Sequence, residues 1–239
     1  MPYVGIDLGR GDGPLREVVL DTETTGLKPE EGHRIIEIGC LELINHLPSG
    51  QKFHSYFNPD REIEAEATSI HGLTWKDLRG HPSFADQAAS FLSFIAGDKL
   101  IIHNAEFDLG FINAELERVN LGLIASDRAV DTVILARRKF PGAPVSLDAL
   151  CKRFSIDNSK RDKHGALLDA ELLAQVYVEL IGTRQATLGF VAKSRDRGAN
   201  ARAPRVPRAP REHAASDEEV ARHTLFLAKL RKPLWLSQQ

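Results

Sequence analysis

Two acidic side chains stand one residue apart in the segment REVVLDTETTGL, at Asp21 and Glu23. The apolar run before them is typical of a central strand, and residues two apart on a strand point to the same face. Two carboxylates placed so close together repel each other unless a cation lies between them. Because Mg²⁺ takes oxygen ligands, the pair predicts a site for a hard divalent cation. The alternative is a solvated strand end with two ordinary acids.

A third carboxylate, Asp108, lies in the segment IIHNAEFDLGFI, where a short apolar strand gives way to a helical pattern. Its neighbourhood in the sequence is apolar, although an acid in the first turn of a helix is also explained by the helix dipole alone. His103 and Asn104 end the strand, at the position where ligands of open α/β sheets commonly bind. The segment therefore predicts further polar groups at the same edge of the sheet.

The fourth carboxylate and a histidine lie in the segment HGALLDAELLAQVY, at Asp169 and His164. Asp169 is surrounded by apolar residues of a long helical pattern, where an acid without a partner would be costly. His164 precedes it by five residues, at or just before the start of the helix. We expect its imidazole to lie on a loop near Asp169, the alternative being an ordinary surface histidine.

The elements that must position these residues can be read from the hydrophobic periodicity. Strand patterns occur at residues 16–23, 34–44, 51–58, 98–104 and within DRAVDT. The second and third are joined by the turn-type stretch NHLPSG, which predicts an antiparallel pair. Helical patterns occur at residues 82–97 and 105–120, and from about residues 131, 146 and 165. This order predicts an α/β fold with a mixed five-stranded sheet and helices on both faces.

Composition limits the class of protein further. The chain has 239 residues, a formal net charge of −2 and two cysteines, Cys40 and Cys151, which are far apart in apolar contexts. This pattern argues against a disulfide framework or a cysteine zinc site and fits a reducing compartment. No apolar stretch approaches the roughly 18 residues of a membrane span. The N-terminus lacks the basic and apolar segments of a secretory signal, so we expect a soluble cytoplasmic protein.

The C-terminal part of the chain differs in character from the rest. Residues 191–212 carry seven Lys or Arg and two acids among Ala and Pro, which predicts a disordered basic linker. Beyond it, Ser216 and Glu219 form a capping-box pattern before a short apolar stripe. We therefore expect five parts: a loose N-terminal arm at 1–15, a folded body at 16–182, a short peptide at 183–190, the linker, and a docking segment at 213–239.

The combined order DxE, D and HxxxxD resembles the DEDDh branch of the 3'-5' exonucleases, and within it the proofreading epsilon subunits of bacterial DNA polymerase III. The stretches AEATSIHGLT, DTVILARRKFPG and SLDALCKRF match as well, and the resemblance covers about residues 16–182. The tyrosine-bearing branch would have Tyr four residues before the last Asp, where Gly165 stands. The resemblance implies a ribonuclease H-like fold.

The resemblance also implies a two-metal mechanism. Two Mg²⁺ or Mn²⁺ ions would be held by Asp21, Glu23, Asp108 and Asp169, and His164 would act as the general base. A nucleoside 5'-monophosphate would be released from a frayed or single-stranded DNA 3' end. The implied contacts to the terminal nucleotide are Thr24, Gly26, Leu27, Glu66, His71, His103, Asn104 and Phe107, together with Asp21, Glu23 and Asp169.

Two partners are implied for the tail. Gln185, Leu188 and Phe190 resemble a peptide that binds the beta sliding clamp, although a frayed helix end would also account for them. The last segment, with Leu227, Leu230 and Trp235, resembles the part of the family that docks the polymerase III alpha subunit. A small theta-like subunit is a further implied partner. The basic linker is expected to serve as a solubilising tether or to touch DNA.

Three hypotheses follow from the sequence. The first is a proofreading exonuclease held in a replicase. The second is a free-standing DEDDh exonuclease that acts in RNA trimming or DNA repair, which would have no use for the tail segments. The third is a non-catalytic subunit that bridges clamp and polymerase, which the presence of all four acids and the histidine disfavours.

Overall fold

The computed structural model describes residues 14–182 and 214–229, which belong to two separate compact units. The first unit holds five strands, β1 Arg16–Thr24, β2 Ile35–Ile44, β3 Leu47–Tyr56, β4 Lys99–Ile102 and β5 Ala129–Asp131. It also holds seven α-helices, α1 Ala65–His71, α2 Trp75–Leu78, α3 Phe84–Ile95, α4 Ala105–Arg118, α5 Thr132–Lys139, α6 Leu147–Phe154 and α7 Ala166–Ile181. The second unit contributes α8, Asp217–Leu227.

The strands form one mixed sheet with the order β3-β2-β1-β4-β5. The central strand β1 pairs antiparallel with β2 and parallel with β4, and β4 pairs parallel with β5. A parallel connection needs a crossover, and α3 supplies the one between β3 and β4. The predicted five-stranded mixed sheet is therefore confirmed.

The two faces of the sheet carry separate hydrophobic cores because side chains alternate along β1. Val18 and Leu20 belong to a core that includes residues of α3 and α4. Val19 belongs to a second core that includes residues of α5, α6 and α7. Helices thus cover both faces, as the near-continuous apolar run of β1 predicts. The same alternation decides which layer each residue at the end of β1 faces.

One close approach brings α7 onto the sheet. A Cβ added to Gly39 of β2 would lie 2.3 Å from the backbone nitrogen of Leu167, so only glycine allows the first turn of α7 to lie where it does. Gly39 pairs with Asp21 of β1. The glycine therefore places the N-terminal end of α7 beside the carboxyl end of the central strand.

One local expectation was wrong, and two short helices were not predicted. The stretch NHLPSG is not a six-residue turn, because β3 begins at Leu47 and the turn comprises Asn45 and His46, both with positive φ (52° and 66°). Pro48 is tolerated there because β3 is an edge strand. The short helices α1 and α2 were not predicted, since helices of seven and four residues carry too few periodic positions.

The second unit confirms one expectation about the tail. Ser216 caps α8, with the Glu219 side chain returning to the backbone of Ser216. Most of the predicted N-terminal arm, the segment with Gln185, Leu188 and Phe190, the linker, Leu230 and Trp235 lie outside the described residues. Leu227 is the last residue of α8.

Two further sequence predictions can be compared with the structure. Cys40 and Cys151 are both buried free thiols. Within residues 14–182 and 214–229, every helix is too short or too polar to cross a bilayer.

Candidate active site

The four predicted acids line one cavity of about 610 Å³. Asp21 and Glu23 come from β1, Asp108 from the first turn of α4 and Asp169 from the first turn of α7. Glu23, Asp108 and Asp169 are buried, and Asp21 is partly buried. Residues distant in the sequence thus meet at the carboxyl end of the central strand, as expected from the open sheet.

The acids approach from both layers of the fold. Asp21 and Glu23 share the face of Val19, on the side of α7, which carries Asp169. Thr22 points the other way, towards α4, and its hydroxyl donates to Oδ1 of Asp108 over 2.7 Å. The alternation of β1 therefore presents two carboxylates to one layer and a hydrogen-bond donor for the third carboxylate to the other.

Burial and mutual repulsion disfavour the charged forms of these acids. Burial, followed by the charge of Asp108, raises the pKa of Asp21 well above its usual range. Burial, followed by the charge of Glu37, raises the pKa of Glu23 to about 8. Burial also raises the pKa of Asp108 to about 7, and the hydrogen bond from Thr22 opposes this rise. The cluster is therefore a place where bound cations would be strongly stabilised.

Asp169 has a partner that the sequence did not indicate. Nε and Nη2 of Arg161 each lie 2.6 Å from one carboxylate oxygen, in the bidentate geometry that suits a guanidinium. Nη1 of Arg161 also lies 2.9 Å from Oδ1 of Asp148. Arg161 belongs to the charged run RDK before His164. This run has no hydrophobic period, so the sequence does not show which way the arginine side chain points.

His164 lies where the sequence predicts, just before α7 and beside Asp169. Its Nδ1 is 3.7 Å from Oδ2 of Asp169 and 3.2 Å from Nη2 of Arg161. The backbone N–H of His164 donates to the carbonyl of Ile70, which ties this loop to α1. Partial burial, followed by the charge of Arg161, lowers the pKa of His164. The lowered pKa favours the neutral imidazole, which is the form that a general base needs.

The predicted contacts to the terminal nucleotide all line this cavity. They are Thr24, Gly26, Leu27, Glu66, His71, His103, Asn104 and Phe107. Leu27 has 75 % of its surface exposed, and Ile70 of α1 has 46 % exposed, so the cavity has apolar edges open to solvent. Large exposed apolar side chains beside polar groups are suited to contact with a base.

Two of these residues have structural roles as well. A Cβ on Gly26 would lie 2.3 Å from the ring of His33, so glycine is required there by this packing. Nδ1 of His71 accepts a hydrogen bond from the backbone N–H of Leu73, which places the imidazole proton on Nε2. Nε2 has no hydrogen-bond partner among the described residues. The ring is buried, and the backbone of Thr24 acts on it in opposition to the lowering of its pKa by burial.

Asp131 organises the end of the strand that carries His103 and Asn104. Its carboxylate accepts from the backbone N–H of Ala105, at the start of α4, and caps α5 through the N–H of Val133. Asn104 takes the left-handed conformation as the N-cap of α4. Asp131 thereby holds the first turn of α4, and with it Asp108, against the sheet. Sequence reasoning missed this residue.

A further buried acid, Glu37, lies opposite Glu23 on β2. Its Oε1 lies 2.7 Å from Nε2 of His54 on β3. In the sequence, Glu37 looks like a solvent-facing acid of the alternating strand IIEIGCLELI. Its burial results from the pairing of three strands, which a single segment does not reveal.

The donor set fits divalent cations. Ligand atoms of Glu23, His164 and Asp169 all lie within 4.8 Å of one another. Hard cations such as Mg²⁺ and Mn²⁺ prefer carboxylate oxygens, and the four acids supply them. The raised pKa values of Glu23 and Asp108 fit the same conclusion, because a cation would neutralise their mutual repulsion.

Comparisons with known proteins identify the family. The exonuclease family model RNase_T matches residues 18–177. The DNA polymerase III subunit epsilon of Rickettsia felis is 46 % identical over 224 residues, which cover 91 % of this chain and 98 % of the relative. The chain belongs to the epsilon subunit family of exonucleases. The epsilon family assignment confirms the resemblance, and it makes the chain a 3'-5' exonuclease.

Solved structures agree with the fold of the epsilon family. Exonuclease X in complex with 5' overhanging duplex DNA matches with a TM-score of 0.55 and 26 % identity, covering 70 % of this chain and 92 % of that chain. The nuclease domain of 3'hExo, described as a DEDDh family member bound to rAMP, matches with a TM-score of 0.58 and 18 % identity, covering 70 % and 91 %. The expected ribonuclease H-like fold is confirmed, and DEDDh exonucleases generally use divalent metal ions.

Proposed function

We propose that this chain is the proofreading 3'-5' exonuclease of a bacterial replicative DNA polymerase. It hydrolyses the last phosphodiester bond of a frayed 3' end and releases a nucleoside 5'-monophosphate. The observation that carries the proposal is the meeting of four carboxylates from β1, α4 and α7 in one cavity. Membership of the epsilon family supports the replicative role over a free-standing nuclease.

Asp21, Glu23, Asp108 and Asp169 would hold two divalent ions, Mg²⁺ or Mn²⁺. When bound, a pair of such ions supplies charge neutralisation at the scissile phosphate and lowers the pKa of water, with typical spacings of about 3.5–4 Å. The protein's own contribution is to fix the carboxylates: Thr22 orients Asp108, and Gly39 allows α7 to bring Asp169 close.

His164 is the proposed general base. It is half-exposed at the cavity, so water can reach its ring, and its lowered pKa keeps the ring neutral near pH 7. A neutral imidazole beside the reacting water accepts the water's proton at a ring nitrogen and later releases it to solvent. The hydrogen bond between its backbone and Ile70 holds the loop near α1.

Selection for a 3' end is assigned to the cavity walls. Leu27, Ile70 and Phe107 offer apolar surface to the terminal base, and Thr24, Gly26, Glu66, His103 and Asn104 line the same space. His71 lines this space as well. A mismatched end frays more easily than a paired one, because less pairing energy is lost when it enters the site.

The same proposal assigns partners and location. The clamp contact would lie at 185–190, with Gln185, Leu188 and Phe190. The polymerase alpha subunit would bind the C-terminal segment, including Leu227 at the end of α8. A small theta-like subunit is a third proposed partner. These assignments place the protein in the bacterial cytoplasm with the replicase.

One assay tests the activity. Release of 5'-monophosphates is measured from matched and mismatched 3' ends, on DNA and on RNA, with Mg²⁺ and with chelator. We expect metal-dependent release, faster from mismatched DNA ends. Preference for RNA would instead favour the free-standing alternative. Metal-independent release would contradict the proposed mechanism.

Two variants extend the assay to the assigned residues. The double variant Asp21→Asn/Glu23→Gln removes two carboxylates without changing side-chain size, and we expect it to lose activity while it still binds the polymerase subunit. Glu117→Gln, on the exposed side of α4, removes one negative charge away from the cavity and serves as the control. Full activity in the double variant would exclude these acids as metal ligands.

A further inference from the structure

Arg161 is the only Lys or Arg among the described residues that line the cavity, where it faces seven acidic residues. Its side chain is only 7 % exposed, and it makes its shortest contacts to Asp169. A fully buried carboxylate needs such a partner, because an unpaired charge in the interior is strongly destabilising. In the proposed function, however, Asp169 is a ligand of a divalent ion.

The two roles of Asp169 conflict in space and in charge. Nε and Nη2 of Arg161 occupy both carboxylate oxygens at 2.6 Å. Glu23 and His164 offer ligand atoms within 4.8 Å of the same carboxylate, so an ion bound there would lie against the guanidinium. Two cations so close together repel each other, and a divalent ion attracts the carboxylate more strongly than a single charge does.

Asp148 is a second ion-pair partner of the guanidinium. Nη1 of Arg161 contacts Oδ1 of Asp148 at 2.9 Å, and Asp148 has 58 % of its side chain exposed. Asp148 lies in the first turn of α6 and also accepts a hydrogen bond from Nδ2 of Asn158. Arg161 can therefore give up Asp169 and keep an ion pair at the rim of the cavity.

The guanidinium of Arg161 also restrains His164. Nη2 of Arg161 lies 3.2 Å from Nδ1 of His164, and a guanidinium can only donate. While that hydrogen bond is made, Nδ1 is an acceptor already in use and cannot take a proton from water. Movement of Arg161 away from Asp169 and His164 would free a proposed metal ligand and Nδ1 of the proposed base at the same time.

We propose that Arg161 is a displaceable counter-cation that competes with the divalent ions for Asp169 and thereby sets the ion concentration at which the site becomes active. The inference rests on the proposed function, in that Asp169 is taken as a metal ligand. Arg161 acts through Asp169 and His164 and is therefore a positioning residue.

The test compares ion binding by the full chain with and without the arginine. Mn²⁺ binding is measured by calorimetry for the wild type, Arg161→Gln and Arg137→Gln, an exposed arginine of α5 that serves as the control for loss of one charge. We expect Arg161→Gln to bind Mn²⁺ about tenfold more tightly, within the usual range of coupling between sites. Unchanged or weaker binding would overturn the proposal.

Thermal unfolding gives a second readout. With chelator, Arg161→Gln should melt at a lower temperature than the wild type, since Asp169 loses its partner. With saturating Mn²⁺ the difference in melting temperature should shrink, because the bound ion would then be the partner of Asp169 in both the wild type and the variant. A difference of equal size under both conditions would show a purely structural arginine.

A third measurement observes the arginine in the wild type and does not depend on removing its positive charge. The Nε–H resonance of Arg161, assigned by its loss in Arg161→Lys, should shift when Mg²⁺ is added to the wild type. An unshifted resonance at saturating Mg²⁺ would overturn the proposal. If the wild type binds no divalent ion at all, the proposed function fails as well; if it binds ions and releases nucleotides but the arginine does not respond, only the inference about Arg161 fails.

Discussion

Thr22 on the central strand and Asp108 on α4 are joined by a hydrogen bond of 2.7 Å that crosses from one layer of the fold to the other. Both residues are buried, so the carboxylate has little access to water as an alternative donor. The hydrogen bond fixes the orientation of Asp108 and opposes the effect of burial on its pKa.

Replacing Thr22 by Val removes this donor while preserving the shape of the side chain. We expect a loss of about tenfold or more in kcat/KM for nucleotide release, because groups that orient a metal ligand typically contribute about 10–100-fold. Thr22→Ser keeps the hydroxyl and should retain most of the activity. Equal activities for the Val and Ser variants would show that the hydrogen bond has no role in catalysis.

Gly39 controls the approach of α7 to the sheet. A Cβ there would meet the backbone of Leu167 at 2.3 Å, so Gly39→Ala should cost about 1–3 kcal/mol in the free energy of unfolding and also reduce activity. Gly110→Ala is the matched control, since Gly110 lies on the exposed side of α4 with no heavy atom within 4 Å of the new Cβ. It should leave stability unchanged or raise it by up to about 1 kcal/mol. Urea denaturation measures both, and a Gly39→Ala protein as stable as the control variant would contradict the packing argument.

The raised pKa values predict how stability depends on pH. Burial raises the pKa of Glu23 to about 8 and that of Asp108 to about 7, above their values in the unfolded chain. The folded protein therefore holds more protons than the unfolded chain in this range, and its stability falls as pH rises. This contribution is complete below the unfolded pKa values, near pH 4, and is lost as pH passes through 7 to 8.

The measurement is the melting temperature from pH 5 to 8.5 with a chelator. We expect it to decrease over that range, and saturating Mg²⁺ should remove the decrease because ions stabilise the charged carboxylates. Mg²⁺ affinity should rise with pH over the same interval, with release of protons on binding. A melting temperature that rises with pH in the presence of chelator would rule out the assigned proton binding.

Three residues in contact at the other end of β1 provide a test in which stability should change while nuclease activity does not. The Glu17 carboxylate accepts from the Tyr177 hydroxyl at 2.6 Å and contacts Nδ1 of His46 at 2.7 Å. Tyr177→Phe should lower the free energy of unfolding by about 1–3 kcal/mol, because the buried carboxylate loses a donor. Nucleotide release at a temperature well below the melting point should be unaffected. A loss of kcat without a loss of stability would contradict this separation.

The regular periods of the sequence were sufficient for the fold, and the resemblance to the DEDDh exonucleases singled out the four acids. The alternation in β1 predicts which residues share a face, and burial of Asp108 and Asp169 follows from their apolar neighbours. The helices α3, α4 and α7 each show enough turns for their apolar faces to be recognised.

What the sequence could not predict are contacts made by irregular segments and by pairs of strands. Arg161 lies in a loop, where a charged run looks like solvated surface, and its burial depends on α6 and α7 together. Glu37 is buried, and its partner His54 comes from the neighbouring strand β3. The turn at Asn45 and His46 has two positive φ angles without a glycine, so the stretch NHLPSG predicts a turn but not its two-residue position.

The carboxylates of this site are recruited from both layers of the sandwich and from both ends of the folded body in sequence. A chain in which either layer has not yet docked can place no more than part of the set around a cation. A nascent or partly denatured molecule therefore lacks the complete set of carboxylates, which is assembled only when both layers have docked.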